Sequence, residues 1–296
     1  MKFKDCLQSN AETDIPNYTV AGIDIGSRQA KAVLLHEKEI YTAILPTGFY
    51  MQQTANELLD ILYKESGLSV KNLDYIVVTG YGRVSLDFED VNYRPVTEIA
   101  CHGMGAHFLG ENIRTIIDIG GQDSKAIKVD PVDGKVLDFA MNEKCAAGTG
   151  RFLEKIAAVL GYDVEEIGEA SLQSTQKINI DSTCVVFAES EVVSSRAKGV
   201  AAPDIAAGIH RSVAKRVNGL LQRVGIESNV LFTGGVSNNI GMKKAFEEIL
   251  GVTIAESKLN TVFAGALGAA VYVADYAKRK LPTWRVWIQS IFPRRI

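Results

Sequence analysis

One stretch of this sequence reads Thr115-Ile116-Ile117-Asp118-Ile119-Gly120-Gly121-Gln122-Asp123-Ser124-Lys125-Ala126-Ile127. The apolar run is typical of a buried β-strand, and the acid followed by two glycines indicates that the strand ends in a tight turn. Glycine lets the backbone approach a ligand closely, so the turn N–H groups can point at phosphate oxygens while Asp118 faces a metal ion. The stretch therefore predicts a phosphate-binding turn that contains Gly120 and Gly121.

A similar pattern occurs earlier in the chain. There Asp24-Ile25-Gly26-Ser27 follows an apolar run and precedes Lys31, much as Lys125 follows Asp118. The two copies lie 94 positions apart when Asp24 is aligned with Asp118. A single aspartate at a strand end is more often a turn former, but two copies in the same context indicate an internal repeat. A repeat of this period predicts duplicated α/β lobes that face each other across a cleft.

A third glycine turn, Thr233-Gly234-Gly235-Val236, follows another apolar run. Glycine at this place would allow a flat adenosine to lie against the backbone. The small-residue segment 264–270 then favours a closely packed helix beneath a nucleotide. Together the three turns predict a site for ATP or ADP.

Phosphoryl transfer depends on positioning and charge neutralisation more than on covalent help from the protein. We expect Asp24 and Asp118 to act through Mg²⁺, and Gln122 to orient the attacking water. The backbone amides of the glycine turns, with Ser27 and Lys31, would hold the phosphates. No side chain in this pattern is predicted to be a strong general base. Asparagine at either aspartate is predicted to abolish hydrolysis and to leave stability almost unchanged.

The chain has 296 residues, which favours two lobes that share a cleft over a single core. We predict a flexible N-terminal extension over residues 1–18 and a first lobe over 19–109, completed by a helix at 263–278. The second lobe is predicted over 110–262. A basic, aromatic tail covers 279–296, and its tryptophans among arginines favour docking to a partner over contact with a membrane surface.

The formal net charge of −3 gives no reason to expect a nucleic-acid partner, because such proteins normally carry a basic face. The first residues lack the apolar segment of a secretory signal, and no apolar run has the length of a transmembrane helix. A cytoplasmic location is therefore predicted. In that compartment the four cysteines should be reduced thiols or metal ligands.

The four cysteines differ in their surroundings, although any one of them is by default a small buried hydrophobe. Cys145 lies in a glycine-rich turn, and Cys184 lies between an Asp/Ser/Thr cluster and an apolar run, so both can aim sulfur outward. Cys6 falls in the predicted extension, and Cys101 falls in a predicted helix at 96–109, where core packing is the simplest interpretation. Two histidines of that helix, His102 and His107, are interpreted as packed or solvated and left out of the site.

Two Asp-Gly turns with a late Thr-Gly-Gly turn resemble the superfamily of acetate kinase, sugar kinases, Hsc70 and actin. Residues from about Val20 to Tyr276 more closely resemble the ATP-dependent activators of 2-hydroxyacyl-CoA dehydratases, which are related to the ATP-binding subunits of benzoyl-CoA reductase. The motifs that carry this resemblance are Gly22-Ile23-Asp24-Ile25-Gly26-Ser27, Thr79-Gly80-Tyr81-Gly82-Arg83, Asp118-Ile119-Gly120-Gly121-Gln122-Asp123, Lys144-Cys145-Ala146-Ala147-Gly148-Thr149-Gly150-Arg151-Phe152, Ser182-Thr183-Cys184-Val185-Val186-Phe187-Ala188-Glu189-Ser190-Glu191 and Thr233-Gly234-Gly235-Val236.

The resemblance implies a duplicated two-lobe actin-like ATPase fold and a homodimer that holds one 4Fe-4S cluster. It implies that ATP is used to send a low-potential electron to a 2-hydroxyacyl-CoA dehydratase or a related double-cluster reductase, with ferredoxin or flavodoxin as electron donor. A cubane cluster needs about four thiolates, so Cys145 and Cys184 from each of two chains are the expected ligands.

Two alternatives stay open at this point. A sugar or carboxylate kinase of the same fold would need a catalytic aspartate over the γ-phosphate and a loop for its substrate, and the sequence shows neither. A non-enzymatic, nucleotide-dependent assembly or redox-sensing protein is the third interpretation. The absorbance spectrum of anaerobically purified protein separates the activator from the kinase.

Overall fold

The computed structural model describes residues 18–37, 39–180 and 184–279. The strands are β1 Val20–Ile25, β2 Gln29–His36, β3 Glu39–Pro46, β4 Tyr75–Thr79, β5 Tyr93–Pro95, β6 Thr115–Ile119, β7 Ser124–Val129, β8 Val136–Asn142 and β9 Val230–Thr233. The helices are α1 Met51–Ser66, α2 Glu98–Leu109, α3 Gly150–Leu160, α4 Ile167–Leu172, α5 Val185–Ala197, α6 Ala202–Val224, α7 Ile240–Leu250 and α8 Ala264–Arg279.

The strands form two sheets with the same internal plan. The first has the order β3-β2-β1-β4-β5 and the second the order β8-β7-β6-β9. In each sheet the first strand pairs antiparallel with the next and parallel with a strand that comes later in the chain. Asp24 and Asp118 occupy matching places, because Asp24 is in register with Lys31 and Asp118 with Lys125. The repeat predicted from the sequence is confirmed.

Helices α2 and α8 lie between the two sheets. Their apolar side chains share one core with Val20 and Val33 of the first sheet and with Ile116 and Leu231 of the second. Helix α1 covers the outer face of the first sheet. The outer face of the second sheet packs against α3, α5, α6 and α7. Since neighbouring residues of a strand point to opposite faces, Ile116 contacts the central layer and Ile117 the outer one.

The central layer is packed backbone against backbone. A Cβ at Gly22 of β1 would lie 2.0 Å from the Ala266 carbonyl oxygen, and one at Gly268 would lie 1.7 Å from that of Cys101. A Cβ at Gly105 would lie 2.0 Å from the Ala264 carbonyl oxygen, so this glycine of α2 is required for contact with α8. The close packing predicted for the small-residue segment is therefore confirmed.

Several predictions fall on residues outside the described part of the chain. They concern the N-terminal extension as far as residue 17, which includes Cys6, and the tail from residue 280 onward. Residues 181–183, immediately before Cys184, also lie outside it. Among the residues that the structure describes, no helix combines the length and the apolar character needed to cross a membrane.

Candidate active site

Two aspartates at the ends of β1 and β6 define the site. Asp24 is 4% exposed and Asp118 is 1% exposed. After each of them the chain closes a tight turn, in which the Gly26 N–H donates to the Gln29 carbonyl oxygen (3.2 Å) and the Gly120 N–H donates to that of Asp123 (3.0 Å). The two tight turns predicted from the sequence are thus present. Phosphate binding at them stays a prediction, and we call them the phosphate turns for that reason.

Each aspartate is backed by a glycine at the end of the neighbouring parallel strand. Gly80 has φ +84° and Gly234 has φ +86°. A Cβ on Gly80 would lie 2.4 Å from Asp24 Oδ1, and one on Gly234 would lie 2.6 Å from Asp118 Oδ1. Thr79-Gly80 is thus the counterpart of Thr233-Gly234, a relation that sequence reasoning missed because the residues after each pair differ.

The two phosphate turns face each other. A Cβ at Gly121 would lie 2.5 Å from Arg28 Cγ and 3.1 Å from Ser27 Oγ. A Cβ at Gly235 would lie 3.2 Å from the side-chain oxygen of Gln29. The structure therefore brings Ser27, Gly121 and Gly235 together at one cleft. Gln122 belongs to the same turn as Gly121 and is exposed.

Lys125 is the central charge of the second lobe's site. It is 1% exposed, and its Nζ lies 3.0 Å from Asp118 Oδ2, 2.7 Å from Asp123 Oδ2 and 3.1 Å from Glu98 Oε1. Burial alone would lower the pKa of Lys125, but the three carboxylates raise it well above the ordinary value. Burial likewise favours a high pKa for Asp118, but His102 and Lys125 hold that pKa well below its usual range.

Glu98, His102 and Asp118 also form a group whose ligand atoms lie within 4.8 Å of one another, close enough to suit a metal ion. The ammonium group of Lys125 already lies between the two carboxylates of that group. It supplies the positive charge that a metal ion would otherwise bring. We therefore assign this group to an internal ion-pair network.

Asp24 is in a different electrostatic state from Asp118. Its nearest cation, Lys31 Nζ, lies 3.9 Å from Oδ2, and burial raises the pKa of Asp24 against the opposing effect of Lys31. Within the described ranges, Asp24 Oδ1 is buried and has no hydrogen-bond partner. A buried carboxylate oxygen without a donor has the chemistry of a Mg²⁺ ligand. The residues here thus fit the predicted Mg²⁺ ion.

His102 is the site residue that the sequence did not identify. It is 3% exposed, and its Nδ1 lies 3.2 Å from Thr233 Oγ1 and 3.5 Å from Asp118 Oδ1. A Cβ on Gly265 would meet both His102 Nε2 (3.1 Å) and Asp24 Oδ2 (2.8 Å). The imidazole therefore lies between the two aspartates. The interpretation of His102 as packed is confirmed, and the structure also places it beside both aspartates. The spacing of Glu98 and His102, one helical turn apart, was the available signal.

The described cysteines are free thiols in three environments. Cys101 is fully buried, and this burial raises the pKa of its thiol to about 12. Its predicted place in the core is confirmed. Cys145 is half-buried in a turn that Asn142 fixes by donating to the Cys145 and Ala147 carbonyl oxygens, at 2.8 and 3.1 Å. Cys184 is exposed at the start of α5.

Helices α3 and α5 run side by side in the same direction. In their second turns Lys155 Nζ lies 3.3 Å from Glu189 Oε1, and near their last turns Arg196 donates to the Val159 carbonyl oxygen at 2.6 Å. The two contacts occur in the same order along both helices, as they do in a parallel pair. Cys184 directly precedes α5 and Cys145 closely precedes α3, so the structure brings both cysteines to the same end of the pair.

The start of α3 also rests on a phosphate turn. The Gly150 N–H donates to the Gly120 carbonyl oxygen at 2.9 Å, and the Arg151 N–H donates to that of Gly121 at 3.0 Å. The segment that carries Cys145 is thus hydrogen-bonded to the turn that carries two of the predicted phosphate ligands. The sequence gave no sign of this contact.

Comparisons with known proteins show the family to which this chain is similar. The sequence profile of the BadF/BadG/BcrA/BcrD ATPase family matches residues 21–273. The (R)-2-hydroxyglutaryl-CoA dehydratase activating ATPase of Acidaminococcus fermentans is 46% identical over 264 residues, which are 88% of this chain and 99% of that protein. The structure of the activator of the 2-hydroxyisocaproyl-CoA dehydratase from Clostridium difficile with bound ADPNP is similar at a TM-score of 0.81 and 41% identity, covering 88% of this chain and 96% of that one.

A more distant likeness concerns the fold alone. A ROK family glucokinase from Streptomyces griseus, in complex with glucose and AMPPNP, has a TM-score of 0.54 and 13% identity, covering 88% of this chain and 100% of that one. The predicted two-lobe fold of the sugar kinase and actin superfamily is confirmed.

Proposed function

Because the chain belongs to the BadF/BadG/BcrA/BcrD ATPase family, we propose that it is an ATP-dependent activator of a 2-hydroxyacyl-CoA dehydratase or a related double-cluster reductase. ATP hydrolysis in the cleft would be coupled to transfer of a low-potential electron to that partner. The observation that carries the proposal is the hydrogen-bonded contact between the Gly120-Gly121 phosphate turn and the start of α3, which follows Cys145.

Nucleotide binding is assigned to the two facing turns. Backbone N–H groups near Gly26, Gly120 and Gly121 bind phosphate oxygens, with Ser27 and Lys31 beside them. Adenosine lies against Gly234 and Gly235.

Hydrolysis needs charge neutralisation and a positioned water. Asp24 would hold Mg²⁺, and its orphaned Oδ1 supports that role. Asp118, which is already paired with Lys125, would act on the ion through its negative charge and not as a direct ligand. Gln122, exposed in the turn, orients the water. Slow, gated hydrolysis without a strong general base is part of this proposal.

Cys145 and Cys184 are assigned as the ligands of a 4Fe-4S cluster, which when bound supplies one-electron chemistry at low potential. Two ligands per chain require a second copy, so a homodimer with a two-fold interface shares one cluster. Both thiols are free, neither is fully buried, and both lie at the same end of α3 and α5. The N-termini of these helices place partial positive charge near thiolates, which stabilises the thiolate form.

The partner is inferred from the proteins that this chain resembles. Proteins similar over almost their whole length are described as an activating ATPase for (R)-2-hydroxyglutaryl-CoA dehydratase and as an activator of the 2-hydroxyisocaproyl-CoA dehydratase. A cytoplasmic location, ferredoxin or flavodoxin as donor, and docking through the 279–296 tail complete the proposal. Neither a nucleic acid nor a membrane is part of it.

Anaerobic purification followed by iron analysis tests the proposal. We expect a brown protein with about four irons per dimer. Cys145→Ser and Cys184→Ser should lose the iron and electron transfer but still bind ATP, whereas the matched control Cys101→Ser should keep the iron. A full cluster in a monomer, or iron lost with Cys101 instead of Cys184, would show that the ligands are wrong. Colourless protein that phosphorylates a sugar or carboxylate would support the kinase alternative.

A further inference from the structure

An ion pair joins the first phosphate turn to the helix that follows Cys145. Arg28, next to Ser27, bonds through Nη2 to the Glu154 carboxylate on α3. Both side chains are about half exposed, at 47% and 45%. Arg28 Cγ also lies against Gly121 of the other phosphate turn. The pair therefore spans the cleft beside the nucleotide site.

Helix α3 is held on its other sides as well. Its first N–H groups donate to the Gly120 and Gly121 carbonyl oxygens. Lys155, the residue after Glu154, pairs with Glu189 on α5. A displacement of α3 thus carries α5 with it, since the far ends of the two helices are joined through Arg196.

We propose that Arg28 and Glu154 are positioning residues that transmit the state of the phosphate site to α3 and α5. The inference rests on the proposed function, since it requires nucleotide in the cleft. When phosphate oxygens engage the turn at Ser27, the adjacent Arg28 is fixed, and its bond to Glu154 fixes α3 relative to the first lobe. When the phosphate leaves, the turn relaxes and α3 is held by the second lobe alone. Both lobes thereby respond to the same bound nucleotide.

The size of the effect follows from the exposure of the pair. A half-exposed ion pair contributes little, and salt screens it. We therefore expect the coupling to appear as a roughly two- to fivefold change in local opening rates, and to weaken at high ionic strength. The pair would adjust a balance between two arrangements of α3 and would not hold the fold together.

Amide hydrogen exchange on the full-length protein tests the idea, with ADP or a non-hydrolysable ATP analogue as the probe. In the wild type, nucleotide should slow exchange in the two phosphate turns and in α3 and α5. In Arg28→Gln and Glu154→Gln, protection of the turns should remain, and protection of α3 and α5 should fall by about two- to fivefold. The double variant R28E/E154R should restore it. Arg114→Gln is the matched control, because Arg114 forms a similarly exposed pair with Glu227 away from the turns.

Three outcomes separate the ideas. If nucleotide protects α3 and α5 equally in the wild type and in Arg28→Gln, the coupling is overturned and the proposed function stands. If Arg114→Gln weakens α3 protection as much as Arg28→Gln does, the effect is general electrostatics and the coupling is again overturned. If nucleotide protects no part of the wild-type phosphate turns, the proposed function fails and this inference fails with it.

Discussion

Asparagine at the two matching aspartates should change stability in different ways. Asp118→Asn removes the charge that lies 3.0 Å from the buried ammonium of Lys125. Asp24→Asn removes a charge whose nearest cation is 3.9 Å away and whose Oδ1 has no partner among the described residues. We expect the first change to lower the free energy of unfolding and the second to leave it unchanged or slightly higher. The sequence alone predicted little change in either case.

The magnitude follows from the contacts that each change removes. Removing one partner of a buried ion pair costs about 3–5 kcal/mol when the other charge is left uncompensated. Lys125 keeps Asp123 and Glu98, and an amide oxygen can still accept a hydrogen bond. We therefore expect a loss of about 2–3 kcal/mol for Asp118→Asn. In a chain of this length that loss lowers Tm by about 5–10 °C. The Tm of Asp24→Asn should be within about 2 °C of the wild-type Tm or above it.

The pH dependence has opposite signs at the two positions. The pKa of Asp118 in the folded chain lies below its ordinary 3.8. Its ionised form therefore stabilises the fold fully above about pH 3.8, and this stabilisation is lost as pH falls below 3.8. The deficit of Asp118→Asn should therefore be constant between about pH 5 and about pH 8. The pKa of Asp24 is raised, so its ionised form costs stability as pH rises through that pKa. The stability of Asp24→Asn relative to the wild type should improve over the same rise.

Urea and thermal unfolding without nucleotide, followed by circular dichroism, measure these differences. ATP hydrolysis should be lost in both variants, so activity serves as the common control and stability as the discriminating readout. Equal Tm values for the two variants would refute the electrostatic argument. So would an Asp118→Asn protein more stable than the wild type.

Two further predictions concern the glycine turns and the thiols. Gly234→Ala should lower the free energy of unfolding in urea by about 2 kcal/mol more than Gly67→Ala does. Both glycines have positive φ, but only at Gly234 would the new Cβ lie within 2.6 Å of Asp118 and of a carbonyl oxygen. Equal losses would contradict the steric argument. In cluster-free protein, Cys184 should react with a thiol reagent at once and Cys101 only at the rate of unfolding, because burial raises the Cys101 pKa to about 12. Rapid labelling of Cys101 by mass spectrometry would contradict its place in the core.

The duplicated fold could be predicted because its signal is local. Each strand and turn around Asp24 and Asp118 is formed by consecutive residues, and the repeat itself implies a second lobe. The close packing of the segment after Ala264 was also visible, since a run of small residues has few other uses.

The charge network of the site could not be predicted because it is assembled from distant segments. Lys125 meets Glu98 across the boundary between α2 and β7, and His102 contacts Thr233, which lies 131 residues further along the chain. The spacing of Glu98 and His102 indicates only that they share one face of a helix, and it does not identify these distant partners. The opposite states of Asp24 and Asp118 likewise depend on an ammonium distance of 3.9 or 3.0 Å, which no residue pattern specifies.

The contact between Gly22 and the backbone of α8 affects how the nascent chain folds. The inner face of β1 and β4 stays uncovered until the ribosome has made α8. Between Thr79 and Ala264 lie about 185 residues, which take on the order of 10–40 s to synthesise. During that time the apolar surface at Val20, Val33 and Val77 has no native cover. The first lobe is therefore the part of the molecule that closes last, whereas the residues of the second lobe's outer core have all been made before α8.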